Sequence, residues 1–306
     1  MSQALAYTVA LCTHDHADRL KRTLADLMCL LLPQAPWEFL VVDNASGDST
    51  PLLLEQQSWP AGWQVRVVRE DKLGVAHARN RAVAEARGDY LIFLDDDETP
   101  DADWLVTYEN FIREKKPDAF GGRIEIMFES APPLWLTDEL LGFLGRLDYG
   151  DQPLPLTAPD TPCYTGNFGF RLAACRTVGA FDTQLGRRGS ANNGGEDVDF
   201  YKRLVAAGFT VWWIPDAVIY HRIQAAKLRR SYFLDLHYRQ GRMEAVRRRG
   251  GASRLPPMYF YGQLLRALGA VWSVYRSGGR DATLRKEMNV AYFVGQILGW
   301  AFGKRT

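Results

Sequence analysis

The stretch Tyr90-Leu91-Ile92-Phe93-Leu94-Asp95-Asp96-Asp97 decides the architecture. Five residues with almost no polar character give way abruptly to three carboxylates. A short continuous apolar run of this kind belongs to a central strand of a parallel sheet, covered on both faces. Working backwards, Leu5 to Leu11, Phe39 to Val42 and Val65 to Val68 read as three further strands. Leu20, Leu24, Leu27 and Leu31 recur at helical spacing until Pro33, and Val75 to Arg87 forms an alanine-rich helix stopped by Gly88. Working forwards, Asp103 to Lys115 reads as a helix and Phe120 to Phe128 as a strand. This alternation predicts an α/β fold with a doubly wound, mostly parallel sheet. Ligands of such sheets bind beyond the carboxyl ends of the strands. The polar runs Asp43-Asn44-Ala45-Ser46-Gly47-Asp48 and Asp95-Asp96-Asp97 both fall there.

The pattern changes after Phe128. Pro132, Pro133, Pro153, Pro155, Pro159 and Pro162 mark a loop-rich stretch, with a short helix expected around 138–147. Tyr164 to Phe170 reads as a strand and Leu172 to Val178 as a short helix. A glycine- and asparagine-rich loop, Arg187 to Gly195, runs into Glu196-Asp197-Val198-Asp199-Phe200, which opens a helix ending near Gly208. Thr210 to Ile214 and Ala217 to Tyr220 read as short strands around Pro215. After His221 three helices are expected, over 225–249, 257–277 and 282–302, separated by Gly250-Gly251, Pro256-Pro257 and Gly278-Gly279.

The chain has 306 residues, of which 47% are apolar and 24% charged, so it buries a real core and is not a disordered polymer. Four cysteines without clustered spacing exclude a disulfide scaffold and a cysteine-rich zinc module. The first residues lack a basic segment followed by an apolar one, and the expected location is cytoplasmic. A net charge of +1 hides an asymmetry: residues 222–306 carry 17 Lys/Arg and four acidic residues, and residues 1–221 carry 20 and 32. The basic tail calls for an anionic partner. Nucleic acid is excluded, because no nucleic-acid module is present and the acidic motifs would stay unexplained.

Asp95, Asp96 and Asp97 repel one another unless a cation or hydrogen-bond donors compensate. Asp95 and Asp97 share a face in extended chain and suit Mg²⁺ or Mn²⁺ together with phosphate oxygens; the alternative is a solvated turn that caps the next helix. Glu196 and Asp197 read either as N-terminal helix capping or as a general base beneath a mobile loop. His221 reads either as a polar residue near the surface or as a ligand of the same metal.

Five segments in order resemble nucleotide-sugar-dependent glycosyltransferases of the GT-A fold, in the large family 2 group. They are Val9-Ala10-Leu11-Cys12-Thr13-His14 followed by Arg19 and Leu20, Leu40 to Asp48, Gly74-Val75-Ala76-His77-Ala78-Arg79-Asn80, Phe93-Leu94-Asp95-Asp96-Asp97, and Gly194 to Phe200. The likeness covers about 1–222. It implies a catalytic domain over 1–222, split into a nucleotide-sugar half (1–128) and an acceptor half (129–222), with a helical extension over 223–306. It implies that Asp43 and Thr13 meet the base, that Arg79 lies near the phosphates, and that Asp95 and Asp97 are the D-x-D carboxylates. Asp96 takes the variable middle place on the donor side. His221 matches a late metal-ligating histidine, Asp197 the base of inverting members, and Glu196 a group that binds acceptor hydroxyls, unless these last two exchange roles.

The implied reaction transfers a sugar from a nucleoside-diphosphate sugar to a glycan or lipid-linked acceptor, with Mn²⁺ or Mg²⁺, in cell-surface polysaccharide synthesis. A nucleotidyltransferase-like enzyme and a non-catalytic sugar-nucleotide-binding protein are the alternatives. Asn167, Trp135, Trp212 and Trp213 are candidates for sugar contact, with core packing as the other reading of each tryptophan. The basic, apolar tail is expected either to lie on an anionic membrane surface at the inner face of the cell membrane, or to pack and form a homodimer.

Overall fold

The computed structural model describes residues 4–186, 194–249 and 255–303. Its elements are β1 (Tyr7–Thr13), α1 (Ala17–Leu27), β2 (Trp37–Asp43), α2 (Thr50–Gln56), β3 (Val65–Arg69), α3 (Val75–Glu85), β4 (Tyr90–Asp95), β5 (Glu98–Pro100), α4 (Trp104–Lys115) and β6 (Ala119–Phe128). There follow α5 (Asp138–Leu141), β7 (Leu154–Leu156), β8 (Phe168–Arg171), α6 (Leu172–Val178), α7 (Glu196–Ala206), β9 (Val211–Ile223), α8 (Arg230–Arg249), α9 (Met258–Gly278) and α10 (Leu284–Phe302). Two compact units emerge. The first takes in the chain up to Glu125 together with Arg146–Arg222; the second takes in Ile126–Gly145 and the chain from Ile223 onward. Residues 126–145 therefore fold with the C-terminal helices, whereas the sequence division placed them before residue 222. The glycine-rich loop expected at 187–195 and the break at Gly250-Gly251 lie outside the described residues for 187–193 and for 250–251.

The sheet runs β3-β2-β1-β4-β8-β6-β9-β5, with β7 on β9. Its central part is parallel, as the alternation of apolar runs and helices predicts: β1 pairs with both β2 and β4 in parallel, and β2 with β3. The register sets Thr13 beside Asp43 and Cys12 beside Asp95, so the acidic strand ends stand level. Beyond β4 the sense reverses. β8 pairs antiparallel with β4 and β6 antiparallel with β8. At the far edge β5 pairs antiparallel with β9, which brings Glu98 opposite His221.

The core explains the strand assignments. Leu11, Val41, Leu91 and Ile92 are buried from the alternating faces of their strands. An aromatic cluster of Phe93, Phe170, Phe181 and Phe200 then fixes α7. Phe200 lies 4.6 Å from Phe181 and 4.8 Å from Phe170 between ring centroids. Burial of Phe200 in the first turns of α7 anchors the acidic start of that helix against the sheet.

Four differences from the sequence reading have physical causes. The two short strands around Pro215 are one strand, β9. Proline lacks an N–H, but β7 pairs only with Val211–Trp213 and β5 only with Ile219–His221, so Pro215 falls in the gap between these two partners. The strand expected from Tyr164 begins instead with a 3-10 turn, Thr165–Asn167. The leucine-spaced helix ends at Leu27, six residues before Pro33. Finally α2, β5 and β7 were not foreseen: β5 and β7 have three residues each, too few to show a period, and α2 is a seven-residue helix.

In the second unit, Phe233, Ile223, Leu228, Leu284 and Met288 form a core with Leu140 and Leu144. Helices α8 and α10 cross at glycines. A side chain at Gly241 would meet the backbone of Tyr292, one at Gly295 that of Tyr238, and one at Gly299 that of Arg242. Gly295→Leu is expected to destabilise the fold by about 1–3 kcal/mol through overpacking. Gly262→Ala, where nothing lies within 4 Å of the added carbon, should instead stabilise by up to about 1 kcal/mol. Thermal unfolding of the two variants measures the contrast.

Candidate active site

Parallel strands end together, so the residues just past β1, β2 and β4 converge. Asp43 is buried at the end of β2. Its Oδ1 accepts the Ser46 N–H at 3.1 Å, and its Oδ2 accepts Arg69 Nη1 at 2.8 Å. Beside it opens a cleft of about 370 Å³ lined by Asp43, Pro51, Leu54, Glu55, Val67, Val68 and Arg69. Asn44 shapes this end of the sheet: its side-chain oxygen accepts the Gly74 N–H at 2.8 Å, and its amide donates to the carbonyls of Glu70 and Lys72. Gly74, with φ +140°, lies in a backbone region that side chains disfavour, and it starts α3.

The three aspartates diverge. Asp96 turns inward and is buried, where Thr13 Oγ1 donates to its Oδ2 at 2.6 Å and His16 Nδ1 lies 3.0 Å from the same oxygen. Burial pushes the Asp96 carboxyl up, while the His16 bond pulls it down. The same bond holds the His16 imidazole above its ordinary range. Thr13, expected at the base, and Asp96, expected on the donor side, bond to each other here. They brace the β1 loop, because a carboxylate this deep must find donors.

Asp95 and Asp97 stay toward the strand ends. Arg79, buried on α3, reaches Asp95 Oδ1 with Nη2 at 3.3 Å and forms a close ion pair through Nη1 with Glu196 Oε1. Burial alone would lower the Arg79 pKa, but Asp95 and Glu196 raise it above the usual arginine range. Arg79 Nε and Glu196 Oε2 are buried and have no hydrogen-bond partner among the described residues. Asp197 follows on α7. Burial and the neighbouring Glu196 push its carboxyl up, against the pull of Arg79. A single guanidinium thus joins the D-x-D strand end to the acidic helix start.

Asp97 Oδ2 lies 3.4 Å from His221 Nε2, an approach set by the β5–β9 register. The Arg222 N–H donates to the Asp97 carbonyl at 3.0 Å, and the Arg222 guanidinium forms a close ion pair with Asp26. No group of three or more metal-ligating side chains is gathered among the described residues. The donors that do meet are one carboxylate and one imidazole. That set fits Mn²⁺ or Mg²⁺, which take few protein ligands and fill the shell with substrate phosphate oxygens.

Two contributors escaped the sequence reading. Glu98 is buried, and its Oε2 accepts the Asp95 N–H at 2.9 Å. Burial and the charges of Asp95 and Asp97 push its carboxyl well up. Its position as a fourth consecutive acid was the available signal. His16 had none, since its partner Asp96 is eighty residues away.

The remaining candidates stand elsewhere. Asn167 is fully buried: its Oδ1 accepts Trp104 Nε1 at 2.8 Å and the Tyr108 hydroxyl at 2.6 Å, and its Nδ2 donates to the carbonyls of Arg123 and Ala217. With both ends of its amide bonded it is a structural knot, and no sugar contact follows. Trp213 is buried, donates Nε1 to the Gly150 carbonyl at 2.8 Å and packs on Tyr149. Trp212 packs on Phe111. Trp135 belongs to the second unit, edge-on to Phe233. Each of the three makes a packing contact; Trp213 is buried, and Trp212 and Trp135 are half-buried.

A parallel sheet with aspartates at level strand ends, faced by an acidic helix start, is the build of GT-A glycosyltransferases. Residues 8–179 match the family model for glycosyl transferase family 2, and the chain belongs to that family. It is 26% identical over 246 residues to the succinoglycan biosynthesis protein ExoM of Rhizobium meliloti, covering 78% of this chain and 74% of that one. It is 30% identical over 150 residues to the pre-mycofactocin glycosyltransferase of Mycobacterium tuberculosis, 48% of this chain but only 30% of the relative's length. The structure of the mannosyltransferase PcManGT from Pyrobaculum calidifontis, in complex with GDP-Man and Mn²⁺, superposes with a TM-score of 0.61 at 16% identity, over 99% of this chain and 89% of that one.

Two outcomes follow from the geometry. Asn167→Ala strips four hydrogen bonds from buried partners and should cost about 3 kcal/mol or more in urea unfolding. Asp96→Asn should return the His16 imidazole toward its ordinary titration range, read from its proton resonances against pH. A His16 titration that does not move contradicts the pairing.

Proposed function

We propose that this protein is an inverting, divalent-cation-dependent glycosyltransferase. It moves a sugar from a nucleoside-diphosphate sugar to a hydroxyl of a glycan or lipid-linked saccharide in cell-surface polysaccharide synthesis. The observation that carries the reading is the Arg79 bridge, which sets Asp197 next to the D-x-D strand end. The glycan context is supported by the similarity to ExoM. The donor class and the cation are supported by the GDP-Man and Mn²⁺ of PcManGT. Four cysteines without a disulfide suit a reducing compartment, in keeping with work on the cytoplasmic side of the membrane.

Each part of the chain has a task. The cleft at Asp43 and Arg69 receives the nucleoside, and Arg79 stands where the phosphates approach Asp95. Asp97 and His221 would hold Mn²⁺ or Mg²⁺. A cation there supplies positive charge that offsets the departing diphosphate. Asp197 accepts the proton of the acceptor hydroxyl as its oxygen bonds to the anomeric carbon. The bond from that carbon to the phosphate oxygen breaks, its electron pair leaves with the diphosphate, and configuration inverts. A carboxyl pushed upward by burial is a better proton acceptor than an ordinary aspartate. Glu196, buried and paired with Arg79, is the alternative base and otherwise the group for acceptor hydroxyls.

Donor binding and hydrolysis, screened across UDP-, GDP- and dTDP-sugars with Mn²⁺ or Mg²⁺, test the reading. One nucleotide class should bind, and Asp97→Ala should weaken the metal-dependent part by about tenfold or more. Asp197→Asn should keep donor binding and lose transfer by about a hundredfold or more. Normal transfer by that variant would remove Asp197 as the base.

A further inference from the structure

Helix α9 carries an apolar face that the second unit does not cover. One side of the helix is packed: Phe260 and Ala267 are buried, and Phe260 stands edge-on to Trp300 of α10 at 5.6 Å. The other side carries Met258, Tyr261, Leu265, Leu268, Trp272 and Tyr275, spaced by three and four residues into one stripe about five turns long. These side chains are open to solvent: Met258 is 80% exposed, Leu265 69%, Trp272 62% and Tyr275 57%. Large exposed side chains scattered singly need no explanation, but a continuous stripe does. No helix among the described residues is long and apolar enough to cross a membrane.

Charge decides what covers this face. Helix α9 holds two arginines, Arg266 and Arg276, and no acidic residue. Arg266 and Arg276 flank the stripe on one side of the helix, and the Arg276 guanidinium lies 4.7 Å from the centre of the Trp272 ring. A second copy seated face to face on the stripe would bring the arginines of α9 together, and α9 itself has no carboxylate to answer them. An anionic bilayer surface answers both features. It takes aliphatic and aromatic side chains to the depth of the headgroups, and it supplies phosphates to the arginines at the rim. Tryptophan and tyrosine, half apolar and half polar, favour that depth.

We propose that the Met258–Tyr275 stripe of α9 docks flat on an anionic phospholipid surface, with Arg266 and Arg276 bound to lipid phosphates. This inference rests on α9 alone and stands apart from the assignment of the glycosyltransferase site.

The full chain is tested by flotation with vesicles of phosphatidylcholine alone and of phosphatidylcholine with phosphatidylglycerol. The expected result is flotation with the anionic vesicles at low salt and its loss at high salt. Leu265→Glu with Trp272→Glu should weaken vesicle binding by about a hundredfold. Arg266→Gln with Arg276→Gln should weaken it by about thirtyfold. Both pairs sit on the exposed side of the helix; UDP and GDP binding with Mn²⁺, measured on the same variants, should be unchanged and separates loss of docking from loss of the site. Quenching of wild-type fluorescence by brominated acyl chains should fall in Trp272→Tyr. Failure to float on anionic vesicles overturns the proposal. So does equal binding to neutral vesicles, or a dimer in sedimentation that the Leu265→Glu, Trp272→Glu pair dissociates.

Discussion

One buried cation organises this molecule's chemistry. Arg79 lies between Asp95, at the end of the central strand, and Glu196, at the start of α7, and the three come from segments far apart in sequence. A buried guanidinium is costly to desolvate, and it is retained only where carboxylates offset that cost. The dependence runs both ways. Removing the arginine would leave the buried Glu196 carboxylate without its partner, while Asp95, 40% exposed, keeps part of its water. The guanidinium also sets how far apart the acids at the end of β4 and the start of α7 stand, which no single element could fix alone.

Around that bridge the acidic run is divided by direction. Asp96 is turned inward and consumed by Thr13 and His16. Glu98 is turned inward and consumed by the Asp95 N–H. Asp95 and Asp97, the two between which they alternate, keep to the strand end, beside Arg79 and His221. Four consecutive acids are tolerable because Asp96 and Asp97 form the turn between β4 and β5, which sends the four side chains to different partners. The inward pair holds the backbone that presents the outward pair.

Much of this was legible in the residues. Short runs rich in apolar residues announced β1 to β4, four residues long for β2 and β3, and parallel topology brings the carboxylates at the ends of β2 and β4 level. The pairing of Asp97 with His221 was readable only as a resemblance, since nothing local links positions 97 and 221; the β5–β9 register does. The inward turn of Asp96 and the burial of Asn167 were not readable at all. Polar residues at a strand end or in a turn look alike whether they face a ligand or a neighbouring helix. Trp212 and Trp213 show the same ambiguity: an aromatic ring in a strand has two faces of the sheet to choose from, and the sequence of β9 does not say which is filled.

Strand β9 also bears on how such a site tolerates change. Its pairing on one edge switches from β7 to β5 around Pro215, so on that side no continuous ladder connects Val211 with His221. Its other edge lies along β6, so the two halves of the strand stay tied through that neighbour. A change confined to β7 therefore reaches His221 only through β9 itself and β6, not through a shared ladder on the β7–β5 edge.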